Sequence, residues 1–239
     1  MSFDKMLYSA TETVRNAKIV KAAFACYGNL KYEIESIRER DPAAASSVEV
    51  LALYSGLHAI MAHRLAHALH KRGFVIPARA ISQMAKSVTG IEIHPAAKIG
   101  RGVFIDHGSG VVIGETAEVG DGCTLYQGCT LGGTGKDNGK RHPTLGKNVM
   151  VGAGAKVLGP FTVGDNAKIA ANAVVLEAVP ANATAVGIPA RIIRKEDRAK
   201  RECECDLDQI HIPDPVAQEL CRLQIRIDKL EKMIQESEK

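Results

Sequence analysis

Three short stretches carry side chains able to do acid–base and ion-pairing chemistry: Asp41 before Pro42, Asp106-His107, and Arg141-His142-Pro143. A histidine can take the proton of an alcohol as its oxygen attacks a carbonyl, provided a carboxylate fixes the imidazole tautomer. Arginine can grip a carboxylate through two parallel hydrogen bonds, and aspartate can receive an ammonium group. Together these are the parts needed to hold an amino acid by both charged ends and activate its hydroxyl. Residue type alone leaves a plainer reading open for each, since a histidine on a coil can equally face solvent or hydrogen-bond within it.

Other patterns carry less. His63 and His67 have the four-residue spacing of two ligands on one helical face, but the general-base glutamate of a zinc protease does not stand between them. With His58 and His70 they read as core or surface histidines of an alanine-rich helix. Gly135-Lys136 fails as a phosphate-binding loop, because Thr130 stands where its first glycine belongs and Asp137 where Ser or Thr belongs. Cys203-Glu204-Cys205 is the one close cysteine pair, and its role stays open. All six cysteines are read as free thiols, in a chain expected to be cytoplasmic because Met1-Ser2-Phe3-Asp4-Lys5 does not begin a signal peptide. No run reaches the ~18 apolar residues of a membrane span. Nucleic acid is a poor partner for a chain of 31 basic and 27 acidic residues with no basic, aromatic-interleaved run.

The elements that must position the three stretches are set by periodicity. From Leu145 an apolar residue returns every sixth position, through Val151, Val157, Val163, Ile169 and Val175, with small or turn-forming residues between. A six-residue repeat of this kind builds a parallel β-helix. Upstream, Ile93, Ile99, Ile105 and Val111 keep the period, after which two frames compete: Ala117, Cys123 and Cys129, or Ile113, Val119, Leu125 and Leu131. Both frames break at the polar, glycine-rich stretch 132–143, which reads as a loop projecting from the coil and carries Arg141 and His142.

Before the repeat, Leu51, Leu53, Leu57, Ile60, Met61, Leu65 and Leu69 recur at helical spacing, with Ser46 placed to cap and Gly73 to stop. A second short helix is expected after Pro77, and weaker helical segments over 17–25 and 30–37. Past Arg191, Val216, Leu220, Leu223, Ile227, Leu230 and Ile234 alternate spacings of four and three, a heptad stripe that needs a partner. The expected architecture is therefore α+β: a helical domain over 1–90, a β-helix over 91–192, and a linker with a C-terminal heptad helix over 193–239.

The runs Ile91-Glu92-Ile93-His94-Pro95-Ala96-Ala97-Lys98-Ile99-Gly100-Arg101-Gly102 and Asp106-His107-Gly108-Ser109-Gly110-Val111-Val112-Ile113-Gly114-Glu115-Thr116 closely resemble serine acetyltransferases. So do Leu131-Gly132-Gly133-Thr134-Gly135-Lys136, Arg141-His142-Pro143 and Gly187-Ile188-Pro189-Ala190-Arg191. The resemblance implies a left-handed coil and transfer of acetyl from acetyl-CoA to the hydroxyl of L-serine, the entry into cysteine synthesis, with feedback inhibition by cysteine. It implies His107 as general base, Glu92 in place of the family's orienting Asp, and Asp41, Asp106, Arg141 and His142 around serine. Gly133, Thr134, Ala153 and Ala171 resemble parts of the coenzyme A groove. The nucleophile is then serine itself, so neither an acyl-enzyme on Cys123 or Cys129 nor a metal or bound cofactor is expected.

The resemblance also implies homotrimers, in many members paired into hexamers, with active sites between adjacent coils. The usual complex with O-acetylserine sulfhydrylase uses a terminal Ile and is not expected of a chain ending Glu236-Ser237-Glu238-Lys239. Three other readings compete: another hexapeptide acyltransferase, a γ-type carbonic anhydrase with zinc on His94, His107 and His142, and a trimeric scaffold with no enzymatic activity.

Overall fold

The computed structural model describes residues 30–135 and 138–194, with 224, 226, 227, 229, 230 and 233 near the C-terminus. The chain divides after Tyr54 into two compact units.

In the first unit, α1 covers residues 30–40 and α2 covers Ser47–Leu53. Ile34, Ile37 and Val50 are its buried apolar side chains. The Ser46 hydroxyl caps α2 by accepting the Glu49 N–H at 3.1 Å. The single helix expected between the Ser46 cap and the Gly73 stop is in fact two, because Tyr54 adopts extended angles (φ −81°, ψ 105°). Leu51, Leu53, Met61 and Leu65, which contribute to the helical spacing, are exposed.

In the second unit, α3 (Ser55–Lys71) and α4 (Val75–Thr89) pack on a coil of short strands, fifteen among the described residues. Gly73 (φ 84°) ends the first helix, and Gly90 (φ 74°) the second by donating to the Lys86 carbonyl. Pro77 lies inside the first turn of α4, where its missing N–H costs nothing. Side chains from both helices reach coil carbonyls: Arg64 donates to those of Ile99 and Gly100, His67 Nδ1 to that of Pro95 at 2.7 Å, and Ser82 to that of Ile93 at 2.6 Å. The His63 and His67 rings lie 5.5 Å apart within this packing.

The strands fall into three sheets visited in rotation. The first holds β1 (Glu92–Ile93), β4 (Val112–Ile113), β7 (Thr130–Gly132), β10 (Lys156–Leu158) and β13 (Val174–Val175). The second holds β2 (Lys98–Ile99), β5 (Glu118–Val119), β8 (Thr144–Leu145) and β11 (Thr162–Val163). The third holds β3 (Phe104–Ile105), β6 (Thr124–Leu125), β9 (Met150–Val151), β12 (Lys168–Ile169), β14 (Ala183–Gly187) and, antiparallel at its end, β15 (Ala190–Arg194). Every other pairing is parallel, so the chain winds as a three-sided coil.

This register settles the competing frames. Ile113, Val119, Leu125 and Leu131 occupy the strands, and Ala117, Cys123 and Cys129 stand two residues before them; both series are buried. Each six-residue side thus sends two side chains inward. Val111 belongs with the second series, which corrects its expected place in step with Ile105: the beat slips by two between Ile105 and Ile113. The pairing shows the same excess, since Glu92 lies beside Val112, twenty residues on, whereas Lys156 lies beside Val174, eighteen on. Thr130 lies beside Lys156, twenty-six on, the eight extra residues lying in the loop at 133–143.

Narrow walls explain the aromatic content of 4%: Ala, Val, Ile, Leu and two cysteines fill the inside. Burial pushes the Cys129 thiol up to about 12, so it is filler and not a nucleophile.

No described helix is long and apolar enough to cross a membrane. Of the heptad stripe, Ile227 and Leu230 are helical and exposed, while Val216, Leu220, Leu223 and Ile234 lie outside the described residues. The segment over 17–25 and the cysteines 26, 203, 205 and 221 lie outside them too.

Candidate active site

Asp106 and His107 occupy the two-residue excess, at the corner where the chain passes from the third sheet to the first. His107 (φ 57°), Gly108 (φ 72°) and Gly110 (φ 75°) are left-handed, which turns the longer segment within one corner. A Cβ on Gly108 would lie 2.4 Å from Ile91 Cδ1, so the turn also needs glycine for space. The His107 side chain is 74% exposed, and its Nε2 lies 3.9 Å from Asp106 Oδ1. Its left-handed backbone points the imidazole away from the packed interior.

The same corner continues along the coil as a column of small residues. Gly128 donates to the Ser109 carbonyl at 2.8 Å, Gly154 to that of Gln127 at 2.8 Å, and Asn172 to that of Ala153 at 2.7 Å. Ala153 and Ala171 therefore share an edge with His107.

Glu92 opens β1, and its Oε2 accepts from Lys86 Nζ at 2.6 Å. Among the described residues its ion pair is with Lys86 and not with His107.

Arg141 and His142 lie at a different corner, between the first sheet and the second. The ring of His142 covers Gly114, where a Cβ would stand 2.0 Å from its Cδ2 and Nε2. Thr116, on the coil beneath, holds both loop residues. Its Oγ1 accepts from the N–H of Arg141 at 3.0 Å and of His142 at 3.1 Å, and lies 2.9 Å from His142 Nδ1. Its own N–H donates to that nitrogen at 3.2 Å.

The Arg141 guanidinium is bonded to Glu115, whose carboxyl is held below the usual range first by that hydrogen bond. Lys140 donates to the Thr116 carbonyl at 2.6 Å. Burial, then the charge of Arg141, lowers the His142 pKa, so the ring favours its neutral form. His94 shares this corner; burial and then Arg79 lower its pKa too.

Gly133 lies where the loop leaves, and a Cβ there would be 3.0 Å from Arg141 Cγ. Thr134 follows it, its Cγ2 beside Gly159.

Asp41 belongs to the first unit. Its Oδ2 accepts from the Tyr54 hydroxyl at 2.6 Å and its Oδ1 from the Ala43 N–H at 2.8 Å.

The structure thus groups His107, Asp106, Ala153 and Ala171 at one corner, and Gly133, Thr134, Arg141 and His142 at another. Within one chain the faces of the coil separate these groups, and they separate His107 from His94 and His142, the three proposed zinc ligands. Glu115, Thr116 and Lys140 were not singled out by sequence reasoning. Glu115 and Thr116 directly follow Gly114 at the end of the run carrying His107, but nothing in their types announced that the loop would fold back on them.

The family model described as bacterial transferase hexapeptide (six repeats) matches residues 142–177. A serine acetyltransferase of Helicobacter pylori is 63% identical over 168 residues, 70% of this chain and 98% of that protein. A solved serine acetyltransferase in complex with cysteine superposes with a TM-score of 0.75 at 40% identity, over 82% of this chain and 76% of the other. The Brucella abortus serine acetyltransferase in complex with coenzyme A superposes with a TM-score of 0.71 at 44% identity, over 74% and 71%. The coil is the left-handed parallel β-helix of these proteins. With nearly the whole of a 63% identical relative covered, the chain belongs to the serine acetyltransferase family.

Proposed function

We infer that the chain moves the acetyl group of acetyl-CoA to the hydroxyl of L-serine, giving O-acetyl-L-serine and coenzyme A, as the first step of cysteine synthesis in the cytoplasm, under feedback inhibition by cysteine. The observation that carries this is the pairing of an exposed imidazole at one corner, His107, with an arginine and histidine held by Glu115 and Thr116 at another. The relatives bound to cysteine and to coenzyme A hold the inhibitor and the coenzyme product that this reading requires.

In this reading His107 takes the hydroxyl proton as the serine oxygen attacks the thioester carbonyl, and coenzyme A leaves as the thiol. Asp106 and Glu92 supply negative charge near the imidazole, with Lys86 competing for Glu92. Arg141 and His142 hold the serine carboxylate. The glycine and alanine column at the His107 corner, with Gly133 and Thr134, leaves room for coenzyme A against bare backbone. Two corners of one rigid prism cannot converge. The site is therefore completed between neighbouring copies in a homotrimer, His107 from one facing Arg141 and His142 from the next.

Thiol release from acetyl-CoA, with serine, homoserine or a sugar acceptor supplied in turn, tests the assignment. Serine is expected to be the preferred acceptor, and His107→Ala to lower turnover by roughly 10²- to 10⁴-fold while the protein still folds. Turnover of His107→Ala equal to the unmodified chain removes His107 from the base role. A sugar preferred over serine removes the substrate.

A further inference from the structure

We infer that Thr116 is a positioning residue that fixes His142 as a hydrogen-bond donor through Nε2 and so reserves the role of base for His107. This deepens the serine-binding reading and rests on it.

Thr116 Oγ1 accepts two backbone N–H groups, from Arg141 at 3.0 Å and His142 at 3.1 Å. A hydroxyl has one proton and two lone pairs, so with both lone pairs engaged its proton is left for the third neighbour, His142 Nδ1 at 2.9 Å. The Thr116 N–H points at the same nitrogen at 3.2 Å. Two donors converging on Nδ1 exclude a proton there, and the neutral ring carries its hydrogen on Nε2. A nitrogen that already bears a proton cannot take one from serine, whereas it can donate to a carboxylate oxygen.

Thr116 also joins the two loop residues to each other, since it holds both of their amides. Arg141, tied on its other side to Glu115, and His142 then approach a carboxylate as one rigid pair of donors. The ring has no freedom to tilt towards the coil, because Gly114 lies directly under it.

The test compares Thr116→Val, which keeps the shape and removes the hydroxyl, with Thr116→Ser, which keeps the hydroxyl. Steady-state rates with serine and acetyl-CoA should show the KM for serine raised about tenfold or more in Thr116→Val, kcat and the KM for acetyl-CoA changed less than about threefold, and Thr116→Ser within about twofold of the unmodified chain. A serine KM unmoved in Thr116→Val, or a serine variant no better than valine, overturns the inference.

A second readout is independent of activity: ¹⁵N imidazole spectra of histidine-labelled protein, with His142 assigned by its loss in His142→Gln. The expected spectrum has an unprotonated Nδ1, and a protonated Nδ1 at neutral pH overturns the inference even if Thr116→Val does not fold. Failure of the unmodified chain to release thiol with serine would instead overturn the substrate assignment, leaving the tautomer to be judged by the spectrum.

Discussion

Replacing Gly114 with alanine puts one methyl group where the His142 ring lies. Gly114 is not among the left-handed residues, so its backbone accepts alanine. The new Cβ, however, would stand 2.0 Å from two ring atoms, against an ordinary contact of 3.4 Å or more. The ring must retreat by about 1.4 Å, and its Nδ1 contacts to Thr116, now 2.9 and 3.2 Å, would open beyond hydrogen-bonding range. A misplacement of about 1 Å at a substrate-holding group costs on the order of 10²-fold, or about 2.7 kcal/mol of transition-state stabilisation. The assay is kcat/KM for serine by thiol release, beside a thermal melt and coenzyme A binding. The expected result is a ~10²-fold loss with the melt and coenzyme A affinity near those of the unmodified chain. A folded Gly114→Ala variant with full activity towards serine would refute both the placement of His142 and its role.

Three other outcomes are expected. Arg141→Lys should raise the KM for serine, because lysine cannot keep the Glu115 bond and a planar two-bond grip together; an unchanged KM contradicts this. Gly56→Ala should lower the melting temperature sharply, since its Cβ would meet the Ile105 carbonyl oxygen at 2.1 Å and α3 would have to lift from the coil, at a cost of about 3 kcal/mol or more; a melt within 2 °C or so of the parent would show that the contact yields. Burial, then His67 and Arg64, lowers the His63 pKa to about 3, so between about 6.5 and 3 the unfolded chain binds a proton that the folded chain does not. Stability should therefore be lost as pH falls from about 6.5 towards 3, by up to about 1.4 kcal/mol per unit, and His63→Leu should flatten the slope in urea melts at pH 7 and 5. An equal slope in both proteins excludes His63 as its source.

The repeat was legible because its period is imposed by geometry. A side of the coil has room for two inward side chains and a turn, and any sequence that fills it must return an apolar residue every six. The same rule explains the ambiguity between Val111 and Leu145. With two inward positions per side, Ala117, Cys123 and Cys129 satisfy the pattern as well as Val119, Leu125 and Leu131, and only the strand pairing tells them apart. The break at Tyr54 was not legible. Its side chain bonds to Asp41, thirteen residues earlier, and a periodicity of three and four carries no trace of such a contact.

The chemistry sits where this rule is broken. The regular turn of the coil is eighteen residues; the last turn, where Lys168 lies beside Thr184, is two short, and the number is exceeded at the two-residue excess carrying His107 and at the eight-residue excess carrying Arg141 and His142. A residue in step with the repeat points either into the packed interior or out from a flat wall, and neither direction suits a base or a substrate clamp. Extra residues lengthen a corner without disturbing the register of the strands on either side, so they can be shaped freely while the wall holds their ends fixed. What the count of residues cannot supply is the complement on the wall itself. Glu115 and Thr116 are in step, carry ordinary turn-forming types, and gain a role only because the loop folds back onto them. That makes Thr116 the point where the regular part of the molecule and the irregular part meet, and it is why a hydroxyl on an unremarkable turn decides which of two histidines is free to act as a base.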